Sequence, residues 1–206
     1  AIIIAGIVVC MLFVASPKSR YFVLLGVLGV VAVALVIMFA MSGGEGGYRL
    51  ERVQIWLNPE AHEKGYQTLQ GLYAIGSGGL FGKGLGESMQ KLGFIPEAQN
   101  DMILSIICEE LGVFGVIVML TLFGMMLYRL MFIAQNAPDL YGSLIVTGIF
   151  AHIAIQVVFN IAVVLSLFPP TGVTLPFVSY GGTSILFLMA EMGLALAVST
   201  KIKIEE

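Results

Sequence analysis

Hydrophobic residues fall into five long stretches along this chain, and polar residues separate them. The stretches cover residues 1–15, 21–41, 111–131, 141–167 and 183–200. A helix needs roughly 20 mainly apolar residues to cross the hydrocarbon core of a bilayer, and all but the first stretch are close to or above this length. The pattern predicts an all-α, polytopic membrane helix bundle with about five transmembrane helices. Residues 1–206 would form a single integral membrane domain.

Basic residues at the ends of the stretches indicate how the chain is oriented. They lie in the first connection, at the end of the third stretch and after the fifth, as Lys18, Arg20, Arg129, Lys201 and Lys203. If the stretches alternate in direction, all of these residues lie on one side, and short basic loops face the cytoplasm. Residues 42–110 and 168–182 are then predicted to face outside, with the N-terminus outside and the C-terminus in the cytoplasm.

The polar segment 42–110 is too long to be only a connection. Its residues 65–75 carry apolar side chains at helical spacing, namely Leu69, Leu72, Tyr73 and Ile75. This spacing predicts an amphipathic helix that lies at the membrane interface. Trp56 suits the same depth as an aromatic anchor. The segment is therefore predicted to be a large, partly helical extracytoplasmic loop.

A glycine-rich run follows the predicted interfacial helix. Residues 76–86 contain six glycines in eleven positions, which permits positive φ and close backbone approach. One interpretation is a tight turn between interfacial helices. The other is a nest of backbone amides that holds a diphosphate. The run does not match the P-loop pattern.

The composition excludes a soluble domain. Hydrophobic residues make up 58% of the chain and charged residues 11%, whereas soluble domains have about 25% charged residues. The net charge of −3 gives no indication of a nucleic-acid partner. The cysteines Cys10 and Cys108 lie in apolar runs and are predicted to be buried hydrophobic residues. The chain opens with Ala1 inside a hydrophobic run that has no basic lead, so we predict a fragment rather than a signal peptide.

Asp101 lies where the polar segment meets the apolar run 102–107. A carboxylate at the entrance of a membrane helix can act as a base on a substrate that is half lipid and half water-soluble. The alternative is that Asp101 or Asn100 caps this helix. If the helix continues unbroken towards Arg129, Asp101 lies up to roughly 13 Å beyond the interface. The apolar run would then require the outer segment to pack around it.

Polar residues also occur inside the predicted spans. His152, Gln156 and Asn160 recur every fourth residue and form one stripe. Such stripes join membrane helices or, alternatively, contact a substrate. Glu191 lies about 12 Å inside the last span by helical rise. It is a functional candidate, and its alternatives are a pair with His152 or a protonated carboxyl.

Several segments together resemble one protein family. They are residues 48–52 (YRLER), 65–67 (GYQ), 74–86, 90–92 (QKL), 96–98 (PEA), Asp101, 109–112 (EELG), 170–172 (PTG) and 175–182 (LPFVSYGG). In this order they resemble the SEDS family of bacterial cell-wall polymerases, which includes the FtsW, RodA and SpoVE proteins. Family members have about ten spans, so this chain resembles the last five. Many members carry His-Thr before the aspartate, where this chain has Gln99 and Asn100, so no role of that histidine is carried over.

The resemblance implies an inverting peptidoglycan glycosyltransferase that polymerises lipid II. The 4-hydroxyl of a terminal N-acetylglucosamine would attack the anomeric carbon of the donor muramyl unit and expel undecaprenyl pyrophosphate. This reaction needs a base, positive charge or a metal at the diphosphate, and an apolar groove for polyprenyl tails. No cofactor follows from the sequence, and a divalent cation at the diphosphate stays open.

The resemblance and the chemistry that this reaction needs together indicate roles for individual residues. Asp101 is the predicted catalytic base. The predicted substrate contacts are Arg52, Lys83, Lys91, Glu97, Gln67, Ser179 and Tyr180. For the three cations the alternative is a solvated surface charge, and for Glu97 it is a role at the start of a helix. Glu109 and Glu110 are predicted to be structural.

The resemblance implies the partners and the location of the whole protein. The partners are lipid II, membrane lipid and a class B penicillin-binding transpeptidase, and the location is the bacterial cytoplasmic (inner) membrane. The alternatives are a lipid II flippase and a non-catalytic divisome scaffold. The role in division, elongation or sporulation stays open, as does the activity of this fragment alone.

Overall fold

The computed structural model describes residues 6–8, 11, 47–61, 65–90 and 99–202. Residues 6–8 and 11 are helical. The remainder of the two predicted N-terminal spans, over 1–15 and 21–41, lies outside the described residues.

The described residues form helices joined by turns and loops, without a strand. The α-helices are α1 (Gly47–Leu57), α2 (Tyr66–Gly78), α3 (Ile103–Asn136), α4 (Leu140–Val164) and α5 (Gly182–Ser199), and a 3₁₀ turn at Pro59–Ala61 lies between α1 and α2. The predicted all-α class is confirmed. The helix predicted at 65–75 is confirmed as α2.

Three of these helices are long and apolar enough to cross a membrane. They are α3, α4 and α5, with mean hydropathies of 2.3, 2.0 and 1.6 over their most apolar windows. They correspond to the spans predicted at 111–131, 141–167 and 183–200. The protein is an integral membrane protein.

The chain divides into two compact units. The first, here the helical unit, contains residues 1–43, 124–155 and 183–206. The second, here the loop unit, contains residues 44–123 and 156–182.

In the helical unit, the His152 side chain pairs with Glu191. Nδ1 of His152 lies 3.0 Å from each carboxylate oxygen of Glu191. This pair joins α4 to α5 and confirms one of the predicted alternatives for Glu191. An intramembrane carboxylate with a partner of this kind avoids part of the free-energy cost of isolation in hydrocarbon.

The loop unit has an apolar core that encloses the start of α3. Its buried members come from α2, from the residues around the start of α3 and from the end of α4, as Ala74, Met102, Leu104, Ile106 and Val164. The predicted packing of the polar segment on the apolar run 102–107 is confirmed for α2, and the position of that segment outside the cytoplasm stays a prediction. Burial of this run removes it from water, which is why the polar segment folds over it.

Small residues on one face of α2 permit a close approach to α3. Gly71, Ala74 and Gly78 are all buried. A Cβ atom on Gly71 would meet the side chains of Met102 and Ser105, and a Cβ atom on Gly78 would collide with the carbonyl oxygen of Cys108. The small side chains therefore set the short distance between the two helices.

Helix α3 is broken at Gly112, where φ is 67° and ψ is −168°. This conformation is essentially restricted to glycine. The condition of an unbroken helix, on which the position of Asp101 roughly 13 Å beyond the interface depended, is therefore not met. A helix break leaves carbonyl groups on one side and amide groups on the other without partners in the helix.

The glycine-rich run provides those partners with its own backbone. The amides of Lys83 and Gly84 donate to the carbonyls of Glu109 and Glu110 at 2.9 and 3.0 Å. The carbonyls of Gly79 and Leu80 accept from the amides of Val113 and Phe114, each at 3.1 Å. These contacts favour the tight turn over the diphosphate nest, because the amides of Lys83 and Gly84 already donate to α3.

Candidate functional site

Asp101 lies in a turn directly before α3, which begins at Ile103. Its side chain is half-buried. Nε2 of Gln67, in the first turn of α2, lies 3.4 Å from Oδ1 of Asp101 and donates to it. The structure therefore brings together the predicted base and one predicted substrate contact. Met102 occupies the position immediately before the helix, and the predicted capping role of Asp101 or Asn100 stays a prediction.

The backbone of the Asp101 turn is held from α4 by Asn160. Nδ2 of Asn160 donates to the carbonyl of Asp101 at 2.9 Å and to the carbonyl of Val173 at 2.8 Å. Asn160 has no exposed surface. The polar stripe on α4 was predicted to hold helices together or to contact a substrate. The hydrogen bond from Asn160 to the backbone of the candidate base was not predicted.

The connection between α4 and α5 also contacts this turn. The amide of Tyr180 donates to the carbonyl of Gln99 at 2.9 Å. The Tyr180 side chain is largely exposed, so the residue combines a fixed backbone with an accessible ring. Gln156, one helical turn before Asn160, donates to the carbonyl of Thr174 at 3.1 Å.

Ser179 is buried in the same connection. Its Oγ accepts a hydrogen bond from the amide of Leu175 at 2.7 Å, and its own amide donates to the carbonyl of Leu175 at 3.0 Å. Phe177, inside this turn, has a positive φ of 61°. Ser179 therefore stabilises the turn in this structure, and its predicted substrate contact stays a prediction.

Helix α1 is fixed to the same connection by two side chains. Nη1 of the exposed Arg52 donates to the carbonyl of Pro170 at 3.1 Å. The indole N–H of Trp56 donates to the carbonyl of Ser166 at 2.7 Å. Arg52 thus lies beside the connection that contacts the Asp101 turn, with its guanidinium at the protein surface.

Lys83 belongs to a different polar cluster, around Glu109. Its Nζ lies 2.7 Å from Oε1 of Glu109, whose side chain has no exposed surface. The Ser88 hydroxyl donates to Oε2 of Glu109 at 2.5 Å, and the Ser77 hydroxyl lies 3.4 Å from Oε1. The prediction that Glu109 is structural is supported by these contacts. Lys83 as a diphosphate contact stays a prediction.

Two predicted site residues, Lys91 and Glu97, lie outside the described residues. Within the part of the chain that the structure describes, no group of three or more His, Cys, Asp or Glu side chains could hold a metal ion.

The observed site contains a carboxylate with an amide partner, and a guanidinium binds the connection that contacts the Asp101 turn. A half-buried carboxylate can accept a proton from a hydroxyl, and a guanidinium suits bidentate contact with a phosphate group. The Asp101–Asn160 contact was not predicted, because its partners are 59 residues apart and a helical stripe does not indicate its partner.

The family model of the FtsW, RodA and SpoVE proteins, described as cell cycle protein, matches residues 1–204. The chain is 44% identical to stage V sporulation protein E of Bacillus subtilis (strain 168), over 96% of this chain and 53% of that protein. It is 43% identical to the probable peptidoglycan glycosyltransferase FtsW of Trichlorobacter lovleyi, over 99% of this chain and 52% of that protein. The chain spans about half the length of the curated relatives it matches.

Solved structures show the same likeness. A chain from a peptidoglycan synthase complex, studied for the structural coordination of polymerization and crosslinking, matches with a TM-score of 0.73 and 29% identity. That match covers 97% of this chain and 55% of the other. The rod shape determining protein RodA of Thermus thermophilus matches with a TM-score of 0.58 and 28% identity, over 98% of this chain and 49% of the other.

Proposed function

We propose, given that this chain belongs to the FtsW, RodA and SpoVE family of cell cycle proteins, that it forms the C-terminal half of a peptidoglycan glycosyltransferase. The full-length parent protein polymerises lipid II into glycan strands and releases undecaprenyl pyrophosphate. Asp101 supports this proposal most directly, because its turn is held by Asn160 and its carboxylate by Gln67. The relatives named as probable peptidoglycan glycosyltransferases support the reaction class.

In the proposed reaction, Asp101 is the general base. Its carboxylate takes the proton from the 4-hydroxyl of the acceptor sugar as the oxygen attacks the anomeric carbon of the donor. The bond from that carbon to the diphosphate breaks with inversion, and the electron pair leaves with undecaprenyl pyrophosphate. A positioned base typically contributes about 10²–10⁴-fold to the rate.

The leaving diphosphate requires positive charge. Arg52 and Lys91 are the proposed contacts. Arg52 is exposed beside the connection that meets the Asp101 turn. Lys91 closely precedes Asp101 in the sequence. A diphosphate contact from Lys83 would require its ion pair with Glu109 to open, so we rank it below these two. A divalent cation would serve the same purpose.

The remaining substrate contacts follow from the neighbourhood of Asp101 and from the family resemblance. Gln67 and Tyr180 lie on segments that contact the Asp101 turn. We assign them, with Glu97 and Ser179, to the sugar and peptide portions of lipid II. Apolar surfaces of the spans would hold the polyprenyl tails.

The proposed location is the bacterial cytoplasmic (inner) membrane, with the active face outside the cytoplasm. The basic residues at the span ends support this orientation. The proposed protein partner is a class B penicillin-binding transpeptidase. The match to a complex that coordinates polymerization and crosslinking supports such a partner.

A lipid II flippase is the second candidate. The pair of His152 and Glu191 between two membrane-length helices favours it, since polar pairs inside a membrane often lie on transport pathways.

One experiment separates these two functions. The purified full-length parent is incubated with lipid II in detergent, and glycan strands are separated by length. In parallel, fluorescent lipid II is followed across the bilayer of vesicles that contain the parent. Polymerisation without translocation supports the proposal, whereas translocation without polymerisation supports the flippase. A parent that binds a transpeptidase but does neither would be a scaffold.

A further inference from the structure

We propose that Asn160 is a positioning residue for the candidate base Asp101. This inference rests on the proposed glycosyltransferase function. Neither the polar stripe on α4 nor the family resemblance indicated this role for Asn160. Asn160 would not touch the substrate. It would fix the backbone on which the reacting carboxylate is carried.

The contact geometry carries the inference. One nitrogen atom, Nδ2 of Asn160, donates to the carbonyl of Asp101 at 2.9 Å and to the carbonyl of Val173 at 2.8 Å. An amide NH₂ group has two N–H bonds, and these two contacts use both. Asn160 therefore links the turn of the base with the connection between α4 and α5.

The unpaired oxygen of the same side chain indicates what the position requires. Oδ1 of Asn160 is buried and has no hydrogen-bond partner among the described residues. Burial of an unpaired polar atom lowers stability, and such a group in a native structure needs an explanation. A leucine of similar size would pack at this position without that cost. The two donated hydrogen bonds are therefore the reason for an amide here.

The Asp101 turn is held at two carbonyls, which are two residues apart. Tyr180 donates to the carbonyl of Gln99, and Asn160 donates to that of Asp101. With the backbone fixed in this way, the side-chain amide of Gln67 can reach the Asp101 carboxylate. Loss of the Asn160 contact frees one of the two anchors, and a base displaced by about 1 Å can lose roughly 10²-fold in rate.

The test uses the full-length parent with the variant Asn160→Leu, which keeps the volume and removes both donors. The matched control is Gln156→Leu, one helical turn earlier, which removes a contact with Thr174 but none with Asp101. The rate of lipid II polymerisation is measured over a range of lipid II concentrations to give kcat and KM. Thermal stability is measured on the same samples.

We expect Asn160→Leu to be folded, with kcat lowered by roughly tenfold or more and KM within about threefold of the parent. Gln156→Leu should keep kcat within about threefold. A merely structural role would instead lower the folded fraction and affect both variants in proportion to their stability. Asn160→Ser, which is too short to reach both carbonyls, repeats the test if the leucine variant does not fold.

Three results would overturn the inference. Parental kcat in a folded Asn160→Leu, while Asp101→Asn is inactive, refutes it and leaves the proposed function intact. Failure of both Asn160 variants to fold would make the residue a folding determinant instead. A parent that does not polymerise lipid II overturns the proposed function and, with it, this inference.

Discussion

The ammonium of Lys83 lies 2.7 Å from the carboxylate of Glu109, which is fully buried beside the break in α3. The amide of Lys83 donates to the carbonyl of the same glutamate at 2.9 Å. The side chain and the backbone of Lys83 therefore both bind Glu109. The glycine-rich run is fixed to α3 by this double contact.

This relationship predicts that Lys83 and Glu109 are energetically coupled. Glu109→Gln and Lys83→Met should each lower the free energy of unfolding of the full-length parent by roughly 1–3 kcal/mol, since each leaves a polar partner unsatisfied. The loss should be smaller for Glu109→Gln, because Lys83 is partly exposed and can be hydrated.

The double variant tests the coupling directly. Its loss of stability in detergent should be less than the sum of the single losses by roughly 0.5 kcal/mol or more. Strictly additive losses would show that the ion pair contributes nothing. If the polymerisation rate of Lys83→Met falls further than its folded fraction does, the result would instead favour the predicted diphosphate contact.

The break in α3 predicts that alanine is not tolerated at Gly112. A Cβ atom there would meet the Leu80 carbonyl oxygen at 2.6 Å and also the amide nitrogen of Gly82, and φ is positive. Gly112→Ala should lower the thermal stability of the parent by several degrees, from a strain of about 1–3 kcal/mol. Gly124→Ala is the control, because a Cβ atom there meets nothing within 4 Å. Equal stability of the two variants would contradict the observed break.

The proposed diphosphate contacts predict a defect in donor use. Arg52→Ala and Lys91→Ala should lower kcat/KM for lipid II without loss of the fold. The reason is that less positive charge remains to neutralise the negative charge of the leaving diphosphate. Arg129→Ala, at the predicted cytoplasmic end of a span, is the matched charge control. Steady-state polymerisation rates provide the measurement. Parental rates for both outer variants at every lipid II concentration would refute the assignment.

The orientation predicts which loops a membrane-impermeant thiol reagent reaches. Glu87→Cys, at an exposed position in the outer loop, should be labelled in intact cells. Pro138→Cys, in the exposed turn between α3 and α4, should be labelled only after lysis. Both tests need a parent from which all native cysteines are removed, including Cys10 and Cys108. The reverse labelling pattern would invert the topology.

Local properties of the sequence were sufficient to predict the helices. The length and hydropathy of the apolar runs predicted α3, α4 and α5, because a membrane helix satisfies its backbone hydrogen bonds within one segment. The spacing of Leu69 and Leu72 predicted α2, because residues three apart lie on the same face of a helix. The apolar run at Met102 predicted burial under the polar segment, although not which residues cover it.

Contacts between distant segments could not be predicted in the same way, and the pair of His152 and Glu191 was only one of several alternatives. Gly112 interrupts an otherwise apolar helical pattern, and an isolated glycine there is usually tolerated. Its break is stable only because the backbone of Gly79 to Gly84 satisfies it, about 30 residues earlier in the chain. The partner of Asn160 could not be predicted either, because Asp101 lies 59 residues earlier in the chain. A side-chain amide indicates that a partner exists and does not identify it.

The central claim, that Asp101 is the base of a glycan polymerase, is tested most directly by Asp101→Asn in the full-length parent. Asparagine keeps the shape and caps a helix as well as aspartate does, but it removes the basic carboxylate. Glu87→Gln, which neutralises an exposed carboxylate in the same outer loop, is the control. Lipid II polymerisation and thermal stability are measured for all three proteins. We predict that Asp101→Asn is as stable as the parent and loses at least about 10²-fold in polymerisation rate, while the control keeps the parental rate. A stable Asp101→Asn protein that polymerises lipid II at the parental rate would contradict the account.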